Sequence, residues 1–277
     1  MKFIPFKFML PLLVFSLVLT TSCDKDENTS PQETPFGSEN SSRAAKVDNV
    51  AEGSFNIMER AFVENETEGR GFGGNSLFPA CTEITVGIQG NKITILLDFG
   101  ESCTLNNGNI VSGSIFMQYG PLISGTYTID YTFQNFVFNG NGVSGGGEIL
   151  YEIANINGNP QSTVNESITV SFPGNPVTGT RTGLRVSEWV EGVGSGNWED
   201  NVYHVTGHWQ TVFTNGFERS GKVIKTLVFK TNCHYVVAGK LEVAQDGLTA
   251  IIDFGDGVCD NLAVFIYNGQ EYPFTME

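Results

Sequence analysis

The sequence predicts an all-β fold, namely an antiparallel meander of roughly a dozen strands that forms a curved sheet, a barrel or a sandwich. Three observations predict it. Apolar residues alternate with polar ones over short segments, as they do in half-buried strands. Turn-forming dipeptides separate these segments at short intervals. The 277 residues include 33 Gly and 21 Phe, and glycine with aromatic residues between frequent turns is typical of β structure.

The alternation with a period of two is clearest in residues 84–88, 93–99 and 127–133. Phe136 and Phe138 fall on the opposite parity from the last of these segments, which indicates a β-bulge between them. Asn-Gly and Asp-Gly dipeptides supply the positive φ angles that tight hairpins require. They occur at residues 107–108, 139–140, 157–158, 215–216, 246–247 and 268–269.

The first residues have the layout of a lipoprotein export signal. Lys2 and Lys7 form a basic start, an apolar stretch follows at residues 8–19, and small polar residues precede Cys23. A bilayer-spanning helix would need about 20 apolar residues, so the stretch is too short for a membrane anchor. The residues before Cys23 resemble the lipobox of bacterial lipoproteins. This resemblance implies that residues 1–22 are removed and that Cys23 carries the lipid at the new N-terminus.

Two segments separate Cys23 from the β domain. Residues 23–45 are polar and almost free of apolar side chains, so we expect a disordered tether. Within residues 46–63, apolar side chains recur near helical spacing, with Asp48 as a candidate cap. This pattern predicts a short amphipathic helix that packs on the main body. Residues 64–277 form the predicted single antiparallel β domain.

The residues after Cys23 bear on its location. Asp24 and Lys25 are followed by Asp26 and Glu27, and a lysine before two acids resembles the surface-export signal of Bacteroidota lipoproteins. The resemblance implies an outer-membrane lipoprotein exposed at the cell surface, and a periplasm-facing position is the alternative. Acyl chains buried at about 0.8 kcal/mol per methylene give effectively permanent anchoring.

The net charge excludes one class of partner. The chain carries 15 Lys+Arg and 30 Asp+Glu, a net charge of −15. Removal of residues 1–22, which hold two lysines and no acids, would leave −17. A chain this acidic is repelled by phosphate backbones, so we expect no nucleic-acid partner.

Four cysteines remain once Cys23 is lipidated: Cys81, Cys103, Cys233 and Cys259. An even number of cysteines in an oxidising compartment predicts disulfides. A zinc site built from all four is the alternative, but it lacks the Cys-x-x-Cys pairs that such sites usually contain.

The cysteines belong to an internal repeat. Residues 81–103 and 233–259 each contain a cysteine, a hairpin signal, an apolar strand that ends in Asp-Phe-Gly, and a second cysteine. Each cysteine therefore lies near the open end of its own hairpin, opposite its partner in the neighbouring strand. Of the three pairings that four cysteines allow, this geometry favours a disulfide within each unit.

The polar tether and the Asp-Phe-Gly units closely followed by Cys resemble a family of uncharacterised Bacteroidota surface lipoproteins. In that family, Asp-(Phe/Tyr)-Gly units lie near both ends of the mature chain. A middle section like residues 133–141 is also similar to that family. The resemblance covers most of residues 23–277 and implies no known activity.

Two groups of residues are candidate metal ligands. Asp253, Asp256 and Asp260 offer hard oxygen ligands for calcium in an acidic turn, but aspartates in turns commonly accept backbone hydrogen bonds instead. His204 and His208 share one face of a predicted strand. Four strand residues span about 13 Å, which is too far for one ion. We therefore expect no bound metal or other cofactor.

The function predicted is a lipid-anchored cell-envelope protein that acts as a non-catalytic binding or structural module. Its partners are the outer membrane, through the lipid, and an extracellular glycan or protein ligand. A secreted glycan-active hydrolase, or a glycan-binding accessory protein, is the alternative.

The glycan alternative depends on acids beside tryptophans. Glu188 precedes Trp189, and Trp198 precedes Glu199 and Asp200, so these acids are candidates for the carboxylate pair of a glycosidase. The tryptophans would form a sugar-stacking surface if they were exposed. Buried core tryptophans explain them equally well. The three are Trp189, Trp198 and Trp209.

Overall fold

A computed structural model describes residue 36, residues 39–66 and residues 76–276. Residues 1–22 and Cys23, on which the signal and lipid-attachment predictions fall, lie outside the described residues. The described chain forms one α-helix, α1 (Glu39–Glu66), and fourteen β-strands.

The strands follow one another along the chain, and a 3-10 helix at Trp198–Asp200 lies between the eighth and the ninth. They are β1 (Glu83–Gln89), β2 (Lys92–Asp98), β3 (Cys103–Thr104), β4 (Ile110–Tyr119), β5 (Thr126–Phe138), β6 (Asn141–Glu152), β7 (Gln161–Ser171), β8 (Thr178–Glu191), β9 (Val202–Phe213), β10 (Glu218–Lys230), β11 (Ala238–Gln245), β12 (Leu248–Asp256), β13 (Leu262–Tyr267) and β14 (Gln270–Thr275).

All the strands belong to one antiparallel sheet, in which sequence neighbours are also spatial neighbours. The short β3 lies off this path and pairs with β4. The predicted meander is therefore confirmed. The sheet is not closed into a barrel, because β1 and β14 lie at its two ends and each pairs with one neighbour.

The helix is longer than the predicted one at residues 46–63. Residues 39–45, which the sequence assigned to the disordered tether, form its first turns, and residues 64–66 extend its other end. Arg43 forms an ion pair with Glu39, one turn earlier. The tether prediction was wrong for residues 39–45. It relied on the scarcity of apolar side chains in this segment, whereas polar contacts stabilise the start of this helix.

The sheet wraps around α1, which packs against strands from β4 to β11. Near one end of the helix, Phe62 meets the rings of Tyr119, Tyr127 and Tyr151, with ring centroids 5.0, 5.3 and 4.8 Å apart. Near the other end, Gln245 of β11 donates a hydrogen bond to the Ser41 hydroxyl over 2.7 Å. Burial of a large apolar side chain such as Phe62 contributes about 1.5–3 kcal/mol to the stability of the fold.

Gly53 allows the helix to lie close to the sheet. A Cβ atom at this position would lie only 2.2 Å from the ring of Phe138. Glycine inside a helix costs about 1 kcal/mol relative to alanine. Here the missing side chain makes room for an aromatic ring of the core.

Glycines and bulges bend the strands around the helix. Gly113 has a φ of +74°, and a Cβ there would lie 2.2 Å from the carbonyl oxygen of Asn135 in the neighbouring strand. The β5–β6 register shifts between Thr132 and Phe136, which confirms the bulge predicted from the parity change. Bulges of this kind increase local bending and twist of a sheet.

The strand ends form two opposite rims. One rim, which we call the distal rim, carries the loops 120–125, 153–160, 192–201, 231–237 and 257–261. In an antiparallel meander every second loop lies at the same end of the strands, so these five loops lie beside one another in strand order.

The opposite rim, which we call the proximal rim, is the one at which α1 begins. Asn215, in the turn between β9 and β10, donates a hydrogen bond to the side-chain oxygen of Asn40 over 3.0 Å. Phe36 packs against Phe265 and Tyr267, with ring centroids 4.9 and 5.9 Å apart. The chain that leads from Cys23 therefore enters the described body at the proximal rim.

Candidate functional site

Both predicted disulfides are present. Cys81 pairs with Cys103 and Cys233 pairs with Cys259, with Cα–Cα distances of 5.6 and 5.5 Å. The first encloses the β1–β2 hairpin and the second encloses the β11–β12 hairpin. A closed loop of this size contributes roughly 3 kcal/mol in the chain-entropy model.

The two Asp-Phe-Gly units make the same local contact. Asp98 accepts a hydrogen bond from the backbone N–H of Gly100 over 2.9 Å, and Asp253 accepts one from Gly255 over 3.1 Å. Both glycines have positive φ, +60° and +87°, which other residues adopt at a cost. The repeat therefore shapes the chain at the end of β2 and at a register shift near the end of β12, and its aspartates accept local backbone hydrogen bonds.

Two of the three calcium candidates, Asp253 and Asp260, have the same character, and the third, Asp256, ends β12. Asp253 forms an ion pair of 2.8 Å with Lys240. Partial burial alone would raise the pKa of Asp253, but hydrogen bonds from Lys240 and Gly255 lower it. Asp260 accepts a hydrogen bond from the N–H of Leu262 over 2.9 Å. Among the described residues, no group of three His, Cys, Asp or Glu side chains could hold a metal ion.

The two histidines of β9 lie at separate positions along the strand. His204 lies opposite Glu188 and His208 lies opposite Leu184 in β8. Four residues of extended strand separate them, about 13 Å. The structure therefore does not bring them to one site.

The three tryptophans are buried in the core, so the hypothesis of a sugar-stacking surface is wrong. Their exposed fractions are 3% for Trp189, 6% for Trp198 and 7% for Trp209. Trp189 stacks on Tyr203 with ring centroids 6.0 Å apart. The guanidinium group of Arg181 lies 4.1 Å above the ring of Trp209.

The acids beside these tryptophans lie on or near the distal rim. Glu188 accepts hydrogen bonds from the side chains of Asn157 and Asn159, each over 2.9 Å. Hydrogen bonds from asparagines in that loop lower the pKa of Glu188. Asp200 accepts a hydrogen bond from the Ser195 hydroxyl over 2.9 Å. These acids therefore hold the loops of the rim in place.

A group of charged side chains lies between α1 and the sheet, and we call it the buried ionic cluster. It was not predicted from the sequence. All seven lie near one another under the helix. They are Asp48, Glu52 and Glu59 of α1, Glu166 of β7, Arg181 and Arg185 of β8, and Arg219 of β10.

Arg181 lies at the centre of the cluster and is 0% exposed. Its Nε donates to Glu166 over 3.0 Å, its Nη1 to Asp48 over 3.1 Å and its Nη2 to Glu52 over 3.1 Å. With Trp209 stacked on its face, this guanidinium group is surrounded by acceptors and an aromatic ring. Such satisfied geometry is what makes a buried charge tolerable.

Arg185 continues the cluster along the helix. Its Nε donates to Glu52 over 2.8 Å, its Nη1 to Glu59 over 3.0 Å and its Nη2 to Asn56 over 3.4 Å. Glu52 therefore bridges Arg181 and Arg185. Arg185 contacts Glu52, Asn56 and Glu59, which lie on successive turns of α1. These contacts therefore fix the position of α1 along its own axis relative to the sheet.

The cluster contains three guanidinium groups and four carboxyl groups. Burial alone would raise the pKa of Glu52, but Arg185 and Arg181 lower it. Burial raises the pKa of Glu59 and of Glu166, and this effect outweighs their arginine partners. If either Glu59 or Glu166 keeps its proton, three negative charges remain beside the three positive ones, and the cluster is neutral.

Sequence reasoning could have found part of this cluster. Arg181 and Arg185 share one face of β8 with Trp189, since they are separated by even numbers of residues. A core tryptophan on that face implies that the arginines are also directed inward. Asp48 and Glu52 are spaced for one face of a helix.

Large apolar side chains are exposed mainly at the distal rim. Of the fourteen in the described chain, six lie in its loops and three at strand ends beside it. Ile123 is 69% exposed and Ile156 is fully exposed. These nine are Ile88, Leu122, Ile123, Ile153, Ile156, Val193, Val258, Leu262 and Phe274.

Two neighbouring loops of the distal rim are joined by a backbone hydrogen bond. The N–H of Ile153 donates to the carbonyl of Gly125 over 3.0 Å, which joins the loops 120–125 and 153–160. Acidic residues lie around them on the same rim. They include Glu152, Glu188, Glu191, Glu199, Asp200, Asp256 and Asp260. The distal rim therefore presents apolar side chains within a negative field.

Comparison of the chain with protein-family models, with curated proteins and with solved structures found no match. Within the described residues, no helix is long and apolar enough to cross a membrane. Function is therefore inferred from the chain's own residues.

Proposed function

We propose that this chain is a lipid-anchored cell-envelope protein that acts as a non-catalytic binding module and captures its partner on the distal rim. The observation that carries the proposal is the concentration of exposed apolar side chains at the rim opposite the start of α1. Four of these side chains, Leu122, Ile123, Ile153 and Ile156, lie on two adjacent loops that are joined by a hydrogen bond, and groups of exposed apolar side chains on a folded protein mark interaction sites.

The anchor and the rim fit one arrangement. Fifteen residues lie between Cys23 and Glu39, and the sixteen steps along the chain, at 3.3–3.6 Å each, span at most about 58 Å. Lipid at Cys23 would hold the proximal rim toward the membrane and leave the distal rim free to face outward. The two disulfides fit an oxidising compartment.

The chemistry of the rim favours a polypeptide partner over a glycan. Glycans bind on exposed aromatic faces, whereas eight of the nine exposed apolar side chains on this rim are aliphatic. Acidic side chains around them favour a partner whose apolar contacts are bordered by Lys or Arg. We therefore propose a protein ligand with a basic, apolar surface.

Site-specific photo-crosslinking on intact cells tests the binding surface. A photoreactive residue replaces Ile123 or Ile156 on the distal rim, and in matched controls it replaces Ile110 or Val212, which are also exposed but lie toward the proximal rim. The proposal expects one discrete adduct from both distal positions, weakened by high salt, and none from the controls. Equal adducts at all four positions, or none, would contradict it.

The anchor is tested separately. Cys23→Ala should release the protein from the membrane fraction, and protease treatment of intact cells should degrade the wild-type protein. Wild-type protein that resists protease on intact cells would contradict the surface position, although the binding result at the rim would stand.

A further inference from the structure

A small cavity lies between α1 and the sheet, next to the buried ionic cluster. Its volume is about 10 Å³. Glu59 of the helix lines one side, and Tyr151, Ser187, Trp189 and Tyr203 of β6, β8 and β9 line the others. The cavity lies directly beneath the distal loops that follow β6 and β8.

Four polar side-chain atoms around this cavity have no hydrogen-bond partner among the described residues. They are Glu59 Oε2, Tyr151 Oη, Ser187 Oγ and Trp189 Nε1. These residues are 5%, 5%, 2% and 3% exposed, so bulk water does not satisfy them. Buried polar groups in folded proteins are nearly always hydrogen-bonded, and an unpaired one is costly.

We propose that the cavity binds one water molecule, which bridges Glu59 of the helix to Tyr151 and Trp189 of the sheet. The volume matches a single water, which needs about 10–15 Å³ and two to four polar partners. Glu59 Oε2, Tyr151 Oη and Trp189 Nε1 provide three such partners, and Ser187 Oγ is a fourth polar atom beside the same cavity. The site goes beyond the proposed binding function, because it concerns how the helix is joined to the sheet.

The chemistry of the three atoms selects water over an ion. The indole N–H of Trp189 can only donate, so it repels a cation. The carboxyl group of Glu59 repels an anion when it is ionised. A water molecule can accept from Trp189 and can either donate to or accept from Glu59, so it fits both protonation states of that group.

The bound water gives the second oxygen of Glu59 hydrogen-bond partners in the sheet. The first oxygen already accepts from Ser162 and Arg185. The water therefore extends the buried ionic cluster to Tyr151 of β6 and to Trp189 near the end of β8, the strands whose loops carry Ile153, Ile156 and Val193. It braces these loops against the end of α1.

Two direct measurements test the site. A crystal structure at high resolution should show one ordered water within hydrogen-bond distance of all three atoms. In solution, the indole N–H of Trp189 should show a water cross-relaxation peak of the sign typical of a long-lived bound water, and this peak should weaken in Tyr151→Phe. A dry cavity in the crystal, with no such peak, would overturn the proposal.

A pair of matched variants tests the energetic role. Tyr151→Phe and Tyr131→Phe each remove a buried hydroxyl that lacks a partner among the described residues, but only Tyr151 lines the cavity. If a water bridges Tyr151, Tyr151→Phe should raise the unfolding equilibrium constant about fivefold or more, whereas Tyr131→Phe should change it less than about twofold. Equal effects of the two variants would overturn the bridging role.

Discussion

The buried ionic cluster and the distal rim invert the usual distribution of side chains. Arg181 is completely buried under the helix, while Ile156 is completely exposed at the rim. The buried charges have partners within the chain, since α1 supplies three of the carboxylates. No described residue covers the exposed apolar groups in this way. The buried ionic cluster therefore helps to specify the fold, whereas the distal rim is available to a partner.

Arg181→Met is expected to have the largest effect on the cluster. It leaves Asp48, Glu52 and Glu166 with fewer cations in a buried site, which should destabilise the protein by about 3–5 kcal/mol. Urea unfolding measures this change. The control is Lys92→Met, which breaks the half-exposed Lys92–Asp130 pair and should cost at most about 1 kcal/mol. Similar losses would show that Arg181 acts as an ordinary surface charge.

Glu52 and Glu59 should respond to pH in opposite senses. The folded-state pKa of Glu52 lies below its ordinary value of 4.5, so its stabilisation is present above that pH and is lost as pH falls. The folded-state pKa of Glu59 lies above 4.5, so its stabilisation is present below that pH and is lost as pH rises.

The matched variants are therefore Glu52→Gln and Glu59→Gln. At neutral pH the first should cost about 3 kcal/mol and the second about 1 kcal/mol. The cost of Glu52→Gln should shrink as the pH falls toward about 4, whereas that of Glu59→Gln should grow. Urea unfolding across this pH range measures both, and parallel curves for the two variants would refute the opposite pKa shifts of these acids.

Gly53→Ala tests the close approach of the helix. In an exposed helix this change would stabilise by about 1 kcal/mol. Here the new Cβ meets the ring of Phe138, so we expect a loss of about 1–3 kcal/mol from overpacking. Thermal unfolding measures it, and a second change, Phe138→Leu, should recover part of the loss. Stabilisation by Gly53→Ala would show that the helix lies farther from the sheet.

Ile156→Ser is expected to have the smallest effect on stability. A fully exposed side chain contributes little to folding, so the change should stay within about 0.5 kcal/mol. The crosslink from position 123 should nevertheless weaken, because the partner loses an apolar contact. Val164→Ser, at a buried core position, is the contrasting variant and should destabilise strongly. A large loss for Ile156→Ser would place that residue in the fold.

The sheet and the disulfides could be predicted because their signals are local. Strand alternation, turn dipeptides and cysteines flanking one hairpin lie within about 25 residues of one another. The extent of α1 could not be read in this way. Residues 39–45 look like a solvated tether, and the contacts that hold them come from distant positions such as Asn215 and Gln245.

The buried ionic cluster was missed for the same reason. Arg181 and Asp48 are separated by 133 residues, so only the folded chain brings them together. Arginines and glutamates in a sequence usually indicate a solvated surface. The tryptophans gave an ambiguous signal, since an aromatic ring serves a core and a binding surface equally well. The distal rim was also missed, although the predicted meander implies that every second loop lies at the same edge. Which side chains of these loops are exposed could be seen only in the folded chain.

The position of α1 also determines how the body would carry a mechanical load. If the chain is held at Cys23, a pull on the anchor reaches the described residues first at Phe36, which packs against Phe265 and Tyr267, and then at the first turns of the helix. The contacts of Arg181 and Arg185 with α1 extend from Asp48 to Glu59, about three helical turns. A helix that slides along the sheet would have to break these contacts together, instead of one after another. The buried charges would thus keep the domain folded while its anchor is under tension.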